Sequence, residues 1–140
     1  MPELPDEFAP HPARDASLAS MRAIEAGDRD GWLALFAPDA VVEDPIGVSP
    51  FDPDGRGHRG TDAIAKFYDD VIGPNESVTF TIRESWAGGS EVANVGTIVT
   101  TLSDGGGTVL TDGVFTYRVD DDGRVVALRA YWELDRLRFA

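Results

Sequence analysis

Asp44 stands in the run Ala40-Val41-Val42-Glu43-Asp44-Pro45-Ile46-Gly47, a carboxylate at the end of an apolar stretch. Val41 and Val42 predict a short strand entering the interior. Alternation then sends Val42 and Asp44 to one face and Val41 and Glu43 to the other. Pro45 ends the pairing because it has no backbone donor. With Val42 facing the core, Asp44 follows it inward. No Lys or Arg stands between Arg29 and Arg56, so desolvation would raise the pKa of a buried Asp44 and suit it to act as a general base near neutral pH. The other reading of this run is a solvated turn carrying two acids and a proline.

A second set of candidates alternates along the C-terminal half. If Ile98 faces inward, Asn94, Gly96 and Thr100 do too. Asn94 then offers amide donors, while Gly96 marks either room for a ligand or a bulge with close packing. Further on, Gly113, Phe115, Tyr117 and Val119 share one face, and Asp112, Thr116 and Arg118 share the other. Tyr117 either donates into a cavity or sits in the core with a local partner. Asp112 points away from Phe115 and reaches a pocket only if a bulge turns it. Tyr131 and Trp132 lie on opposite faces, so one of them enters the interior.

The elements that position these residues are legible from periodicity. Residues 1–13 carry four of the nine prolines and read as a flexible N-terminal arm before a single domain, 14–140. Ser17, Ser20, Met21 and Ile24 form one stripe of a helix that Gly27 ends. The two serines either bond back to helix carbonyls or line a cavity. Asp28 caps a second short helix with Trp32, Leu33, Leu35 and Phe36 as its apolar face. Residues 47–60 form a long turn-rich loop of the kind often used as a lid or binding loop. Thr61 caps a third helix, with Ile64, Phe67, Tyr68 and Val71 at helical spacing, which ends at Gly73-Pro74. Alternating segments at 77–86, 91–102, 108–119 and 124–134 predict an antiparallel meander. Three N-terminal helices packed on a curved, mostly antiparallel sheet give an α+β cone with an apolar mouth.

Composition narrows the chemistry. The 140-residue chain holds 25 acidic and 12 basic residues, a net charge of −13. That balance repels phosphate backbones, so no nucleic-acid partner is expected, and an uncharged apolar ligand is compatible with it. No segment approaches the ~18 apolar residues of a membrane span, so no membrane insertion is expected. The chain has no cysteine, which removes disulfides and thiolate ligands and fits a cytoplasmic protein. His11 and His58 lie far apart in loop-like sequence, and no metal site is expected. Gly55-x-Gly57-x-x-Gly60 lacks the strand and helix that a dinucleotide loop requires. There is no Gly-x-Ser-x-Gly elbow.

The stretch Ala26-Gly27-Asp28-x-Asp30-Gly31-x-x-Ala34-Leu35-Phe36-Ala37-x-Asp39-Ala40-x-Val42-Glu43-Asp44-Pro45-x-Gly47 closely resembles the corresponding segment of Δ5-3-ketosteroid isomerases. Gly60-Thr61-x-Ala63-Ile64-x-x-Phe67-Tyr68, Gly113 to Val119, Gly123-x-Val125-Val126-x-x-Arg129-Ala130 and Tyr131-Trp132-x-Leu134-Asp135 continue it, so the resemblance spans residues 15–135. It implies an NTF2-like, or SnoaL-like, fold and a cofactor-independent proton transfer from C4 to C6 of a 3-oxo-Δ5-steroid. In such isomerases an Asp moves the proton, while a Tyr and a protonated Asp stabilise the dienolate oxygen. The base carries over onto Asp44. The Tyr position is Ser20 here, and the second Asp falls on Gly113 or Phe115, with Asp112 adjacent. Ser20, Asn94, Tyr117 and Asp112 are therefore the candidate polar groups. Met21, Trp32, Phe67, Tyr68, Ile98, Phe115 and Trp132 are the candidate lining. The expected partners are a steroid or other apolar small molecule and, by resemblance, a second copy of the chain bound through an outer sheet face bearing Val95, Thr97, Val99, Thr116 and Arg118. Two alternatives remain on the same scaffold. One is a non-catalytic binder of steroids or other hydrophobic molecules; the other is a different reaction, such as polyketide cyclisation or epoxide hydrolysis.

Overall fold

The computed structural model describes residues 9–140; the expected N-terminal arm lies mostly outside them. Helix α1 runs Pro12–Glu25, two residues earlier than the periodicity places the domain start, because His11 caps it and Pro12 fits its first turn. The stripe of Ser17, Ser20 and Met21 faces inward and is buried. Asp28 caps α2, Arg29–Leu33, by accepting from the Gly31 amide. This helix is shorter than expected. Phe36 does not belong to it but opens strand β1, Phe36–Glu43, since a packed strand offers Ala40 and Val42 full burial. Strand β2, His58–Arg59, forms within the long loop and pairs with β1. Helix α3, Thr61–Phe67, follows, with Gly60 rather than Thr61 at its N-cap. It widens into a single π-helical turn over Tyr68–Ile72, closed by the Gly73 amide on the Tyr68 carbonyl.

Four long strands make the body of the sheet: β3 Ser77–Gly88, β4 Glu91–Thr101, β5 Thr108–Val119 and β6 Val125–Tyr131. A last short strand, β7 Arg138–Phe139, returns to pair with the start of β5. The order is β2-β1-β6-β5-β4-β3, antiparallel throughout except for β1 beside β6. This is the α+β cone that the pattern predicts, closed by three helices over one sheet face. Register places Asn94 opposite Phe115, Gly96 opposite Gly113 and Ile98 opposite Thr111, so the predicted inward row is one row. Gly96 packs closely rather than opening space. A Cβ there would lie 2.2 Å from the Thr81 carbonyl oxygen, beside a register shift in β3 between Ile82 and Glu84.

The core fills the narrow end of the cone. Trp32 is fully buried, with Phe36 edge-on at 4.8 Å and Tyr68 at 5.5 Å between ring centroids. Val42, Ile64, Val92, Val119 and Val125 complete that end. The wide end is left unfilled. No helix among the described residues is long and apolar enough to cross a membrane.

Candidate functional site

The unfilled part of the cone is a cavity of about 380 Å³, within the range of small-molecule sites. Its walls are set by the elements just described. α1 contributes Met21, α2 Trp32 and α3 Phe67, while the sheet supplies Ile98, Phe115, Tyr117 and Leu128. Asp44 follows β1 directly, and Trp132 follows β6; both reach the cavity.

Asp44 and Trp132 meet. The indole Nε1 donates to Asp44 Oδ1 at 2.6 Å. Asp44 is half-buried and lines the cavity. Burial pushes its carboxyl above the ordinary carboxylate range, and the indole hydrogen bond and the nearby His58 pull it part of the way back. Glu43, one residue earlier, points the other way and binds Arg129 at 3.0 Å, as strand alternation requires. β5 has a gap in its pairing that lets Trp132 in. Its edge is covered by β6 from Val114 onward and by β7 at Val109 and Leu110. Gly113 sits in that gap, where a Cβ would lie 2.5 Å from the Tyr131 carbonyl oxygen and 3.0 Å from Trp132 Cβ. Tyr131 turns outward and is half exposed.

The other polar candidates separate into layers. Tyr117 lines the cavity, and its Oη lies 3.0 Å from Ser20 Oγ, to which it donates. Ser20 does not reach the cavity. It is fully buried behind Tyr117 and also accepts from Trp32 Nε1 at 2.9 Å. Asn94 is likewise behind the wall: its amide nitrogen donates to Ser17 Oγ at 3.0 Å, and Oδ1 has no partner among the described residues. Asp112 is on the outer face and not in the cavity, as alternation alone would have it. Arg138 Nε and Nη2 donate to it at 2.8 and 2.9 Å, and Thr97 Oγ1 at 2.6 Å. These partners, Arg138 foremost, hold its carboxyl well below the ordinary range. Tyr68 is also corrected. It packs on Trp32 outside the cavity, at the point where the helix widens.

Sequence reasoning missed much of the sheet's lining, Val78, Phe80, Val109 and Leu128 among it, and three contributors from outside the long strands. Phe51, from the 47–60 loop, lines the cavity with its ring 6.4 Å from that of Trp132. The loop is pinned by Asp52, whose Oδ2 accepts from the Gly57 amide at 2.8 Å. His58 lies against Phe67 with its Nε2 buried and unpartnered among the described residues. Leu137, from the segment leading into β7, closes one side. An aromatic in a Pro- and Gly-rich loop was the available signal for Phe51; nothing local marked the other two. Among the described residues no group of three or more His, Cys, Asp or Glu side chains is placed to hold a metal ion.

Comparisons with known proteins bear on the family and the fold. Residues 18–128 match the family described as "SnoaL-like domain". The steroid Δ-isomerase of Nocardioides simplex is 31% identical over 110 residues, covering 79% of this chain and 80% of that protein. The Δ5-3-ketosteroid isomerase structure from Mycobacterium sp. superposes with a TM-score of 0.87 at 45% identity, covering 92% of this chain and 98% of that one. The RV0760c protein of Mycobacterium tuberculosis, solved in complex with estradiol-17β-hemisuccinate, superposes with a TM-score of 0.87 at 41% identity, covering 93% of this chain and all of that one.

Proposed function

We propose, for a chain that belongs to the SnoaL-like domain family, that the cavity takes a 3-oxosteroid or similar apolar ketone and that Asp44 moves a proton within it without a cofactor. One observation carries this reading: a carboxylate with one oxygen tied to an indole opens into a mostly apolar cavity. Desolvation makes that carboxylate a stronger base than an ordinary Asp. Asp44 Oδ1 is held by Trp132, which leaves Oδ2 to take a proton from the carbon next to the ketone and return it further along the conjugated system. The apolar wall limits competing proton exchange with water. The isomerase relatives and the steroid-bound relative support the substrate class.

The test is conversion of 5-androstene-3,17-dione, followed by absorbance of the conjugated enone. Asp44→Asn is expected to reduce turnover by about 10²–10⁴-fold with the fold retained by circular dichroism. Undiminished turnover in that variant defeats the reading. A second reading, binding without turnover, is favoured by Ser20 and Gly113. These positions, with Phe115 as the alternative to Gly113, match the oxyanion donors of the isomerases that the sequence resembles, yet none of the three projects a donor into this cavity. It predicts saturable binding of equilenin with no enone formed. Epoxide hydrolysis through an Asp-Arg-Asp set has less support, since no arginine among the described residues lines the cavity.

The same reading includes a homodimer through the outer sheet face. Trp86, exposed and paired with Ala93 on that face, supplies an apolar centre. Trp86→Asp is expected to shift the mass in light scattering from dimer to monomer; a monomeric wild-type protein would refute this.

A further inference from the structure

We infer that the acceptor oxygen of the bound molecule is held by Tyr117, and that Ser20 and Trp32 form a donor chain behind it that frees the Tyr117 proton for the ligand. Identifying that oxygen as a ketone rests on the proposed function above; the donor chain itself does not. The oxyanion donor then comes from β5, not from the α1 position where the resembling isomerases carry a tyrosine.

The hydrogen-bond accounting runs from the core outward. An indole N–H only donates. Trp32 is fully buried and its Nε1 meets Ser20 Oγ at 2.9 Å, so one Ser20 lone pair is taken. Tyr117 donates to Ser20 at 3.0 Å and takes the other. The Ser20 hydroxyl proton then has no acceptor among the described residues except Tyr117 Oη, which is itself donating. A buried donor left without an acceptor is unfavourable. An acceptor atom arriving in the cavity resolves this. Tyr117 turns its proton to the ligand, Ser20 turns its proton to Tyr117 Oη, and Trp32 continues to donate to Ser20. Two hydroxyl groups rotate, no O–H bond breaks, and every donor has one acceptor. Such a chain polarises along its length, so the terminal phenol donates more strongly than a lone tyrosine.

Elimination points to the same atom. The other hydrogen-bond donors of the cavity wall are engaged or distant. Trp132 Nε1 is committed to Asp44 and Trp32 Nε1 to Ser20. The Asn75 amide donates to the Val71 and Ile72 carbonyls. Thr111 lies six residues back along β5, roughly 20 Å at the strand rise, and Thr100 is further back still, opposite Val109. Tyr117 alone combines a hydroxyl with the Asp44 end of the cavity, where the carboxylate is close enough to act on it electrostatically. Burial pushes the phenol above its ordinary pKa. It therefore stays protonated and stabilises the ligand oxygen by a hydrogen bond, leaving the proton transfer to the carboxylate.

Equilenin is the probe, because its naphthol changes absorbance when it ionises and its anion resembles a dienolate. The variants are made on the full chain, alone and with Asp44→Asn. Tyr117→Phe, which deletes one oxygen, is expected to lower the ionised fraction of bound equilenin at least fivefold and kcat on the order of 10²-fold, with KM changing less. Ser20→Ala should give a smaller loss in both, and Ser20→Thr, which restores a hydroxyl, should recover part of each. Trp32→Phe should follow Ser20→Ala in direction. If the Tyr117→Phe protein does not fold, the Ser20→Ala and Ser20→Thr pair decides alone. A wild-type ionised fraction in Tyr117→Phe, no difference between Ser20→Ala and Ser20→Thr, or no equilenin binding by the wild type each overturns the inference. The two proposals fail separately. Turnover that survives Asp44→Asn removes the base but leaves the probe result standing, while a probe blind to Tyr117 removes the donor chain but leaves the base.

Discussion

Asp44 has two neighbours that act on its charge in the same direction, the Trp132 indole and His58, against the larger opposing effect of burial. As the base it must be ionised, so kcat/KM is expected to fall in acid through an apparent pKa above the ordinary carboxylate range. Trp132→Phe removes a donor that favours the ionised form, and should move that acid limb to higher pH. A limb at the ordinary Asp value in the wild type, or an unmoved limb in the variant, would count against the assignment. The same shift has a stability consequence. A carboxyl whose folded pKa is raised holds its proton more tightly folded than unfolded, so stability falls as pH rises from the unfolded pKa towards the folded one. Asp44→Asn should therefore melt at a higher temperature than wild type near neutral pH, with the gap closing in acid below the unfolded carboxylate pKa. The location of Asp44 was legible from Val42, its partner in alternation. The hydrogen bond from Trp132 was not, because 88 residues separate the two and no local pattern encodes that meeting.

At the scale of elements, the strand faces were readable and the edges were not. The inward row of β4 and β5 follows from period-two alternation, and the four long strands fall where their turn residues place them. Alternation fails to show that β1 lies parallel to β6 or that β7 returns to β5, since both depend on long-range pairing. Tyr68 was misplaced because helical spacing assumes a uniform turn, and the turn widens at that residue. At Gly96 a side chain would run into the backbone of β3, 2.2 Å from the Thr81 carbonyl oxygen. Gly96→Ala should cost about 1–3 kcal/mol, as overpacking of a filled interior does, because the new methyl meets a backbone carbonyl that cannot swing aside. Urea unfolding with an unchanged m-value and a lowered midpoint would show it; an unchanged midpoint would mean that the β3 bulge absorbs the methyl group.

Across the whole molecule, an apolar cavity sits inside a strongly acidic exterior. Neutral ligands should bind with little dependence on salt. A sulfate ester of the same ligand should bind more weakly, with the difference shrinking as ionic strength rises; equal affinity at low salt would show that the surface field does not reach the cavity mouth. The molecule also divides its three tryptophans among three environments. Trp32 is fully buried between the core and the cavity, Trp86 stands in the open on the outer sheet face, and Trp132 rests its nitrogen on the Asp44 carboxylate. Fluorescence can therefore separate three events from one another without any attached dye. With the other two indoles replaced by Phe, Trp32 emission should redden only on unfolding and Trp86 emission should respond to self-association. Trp132 should brighten or dim as Asp44 gains a proton, so that the protein carries its own optical titration of the residue on which its chemistry depends.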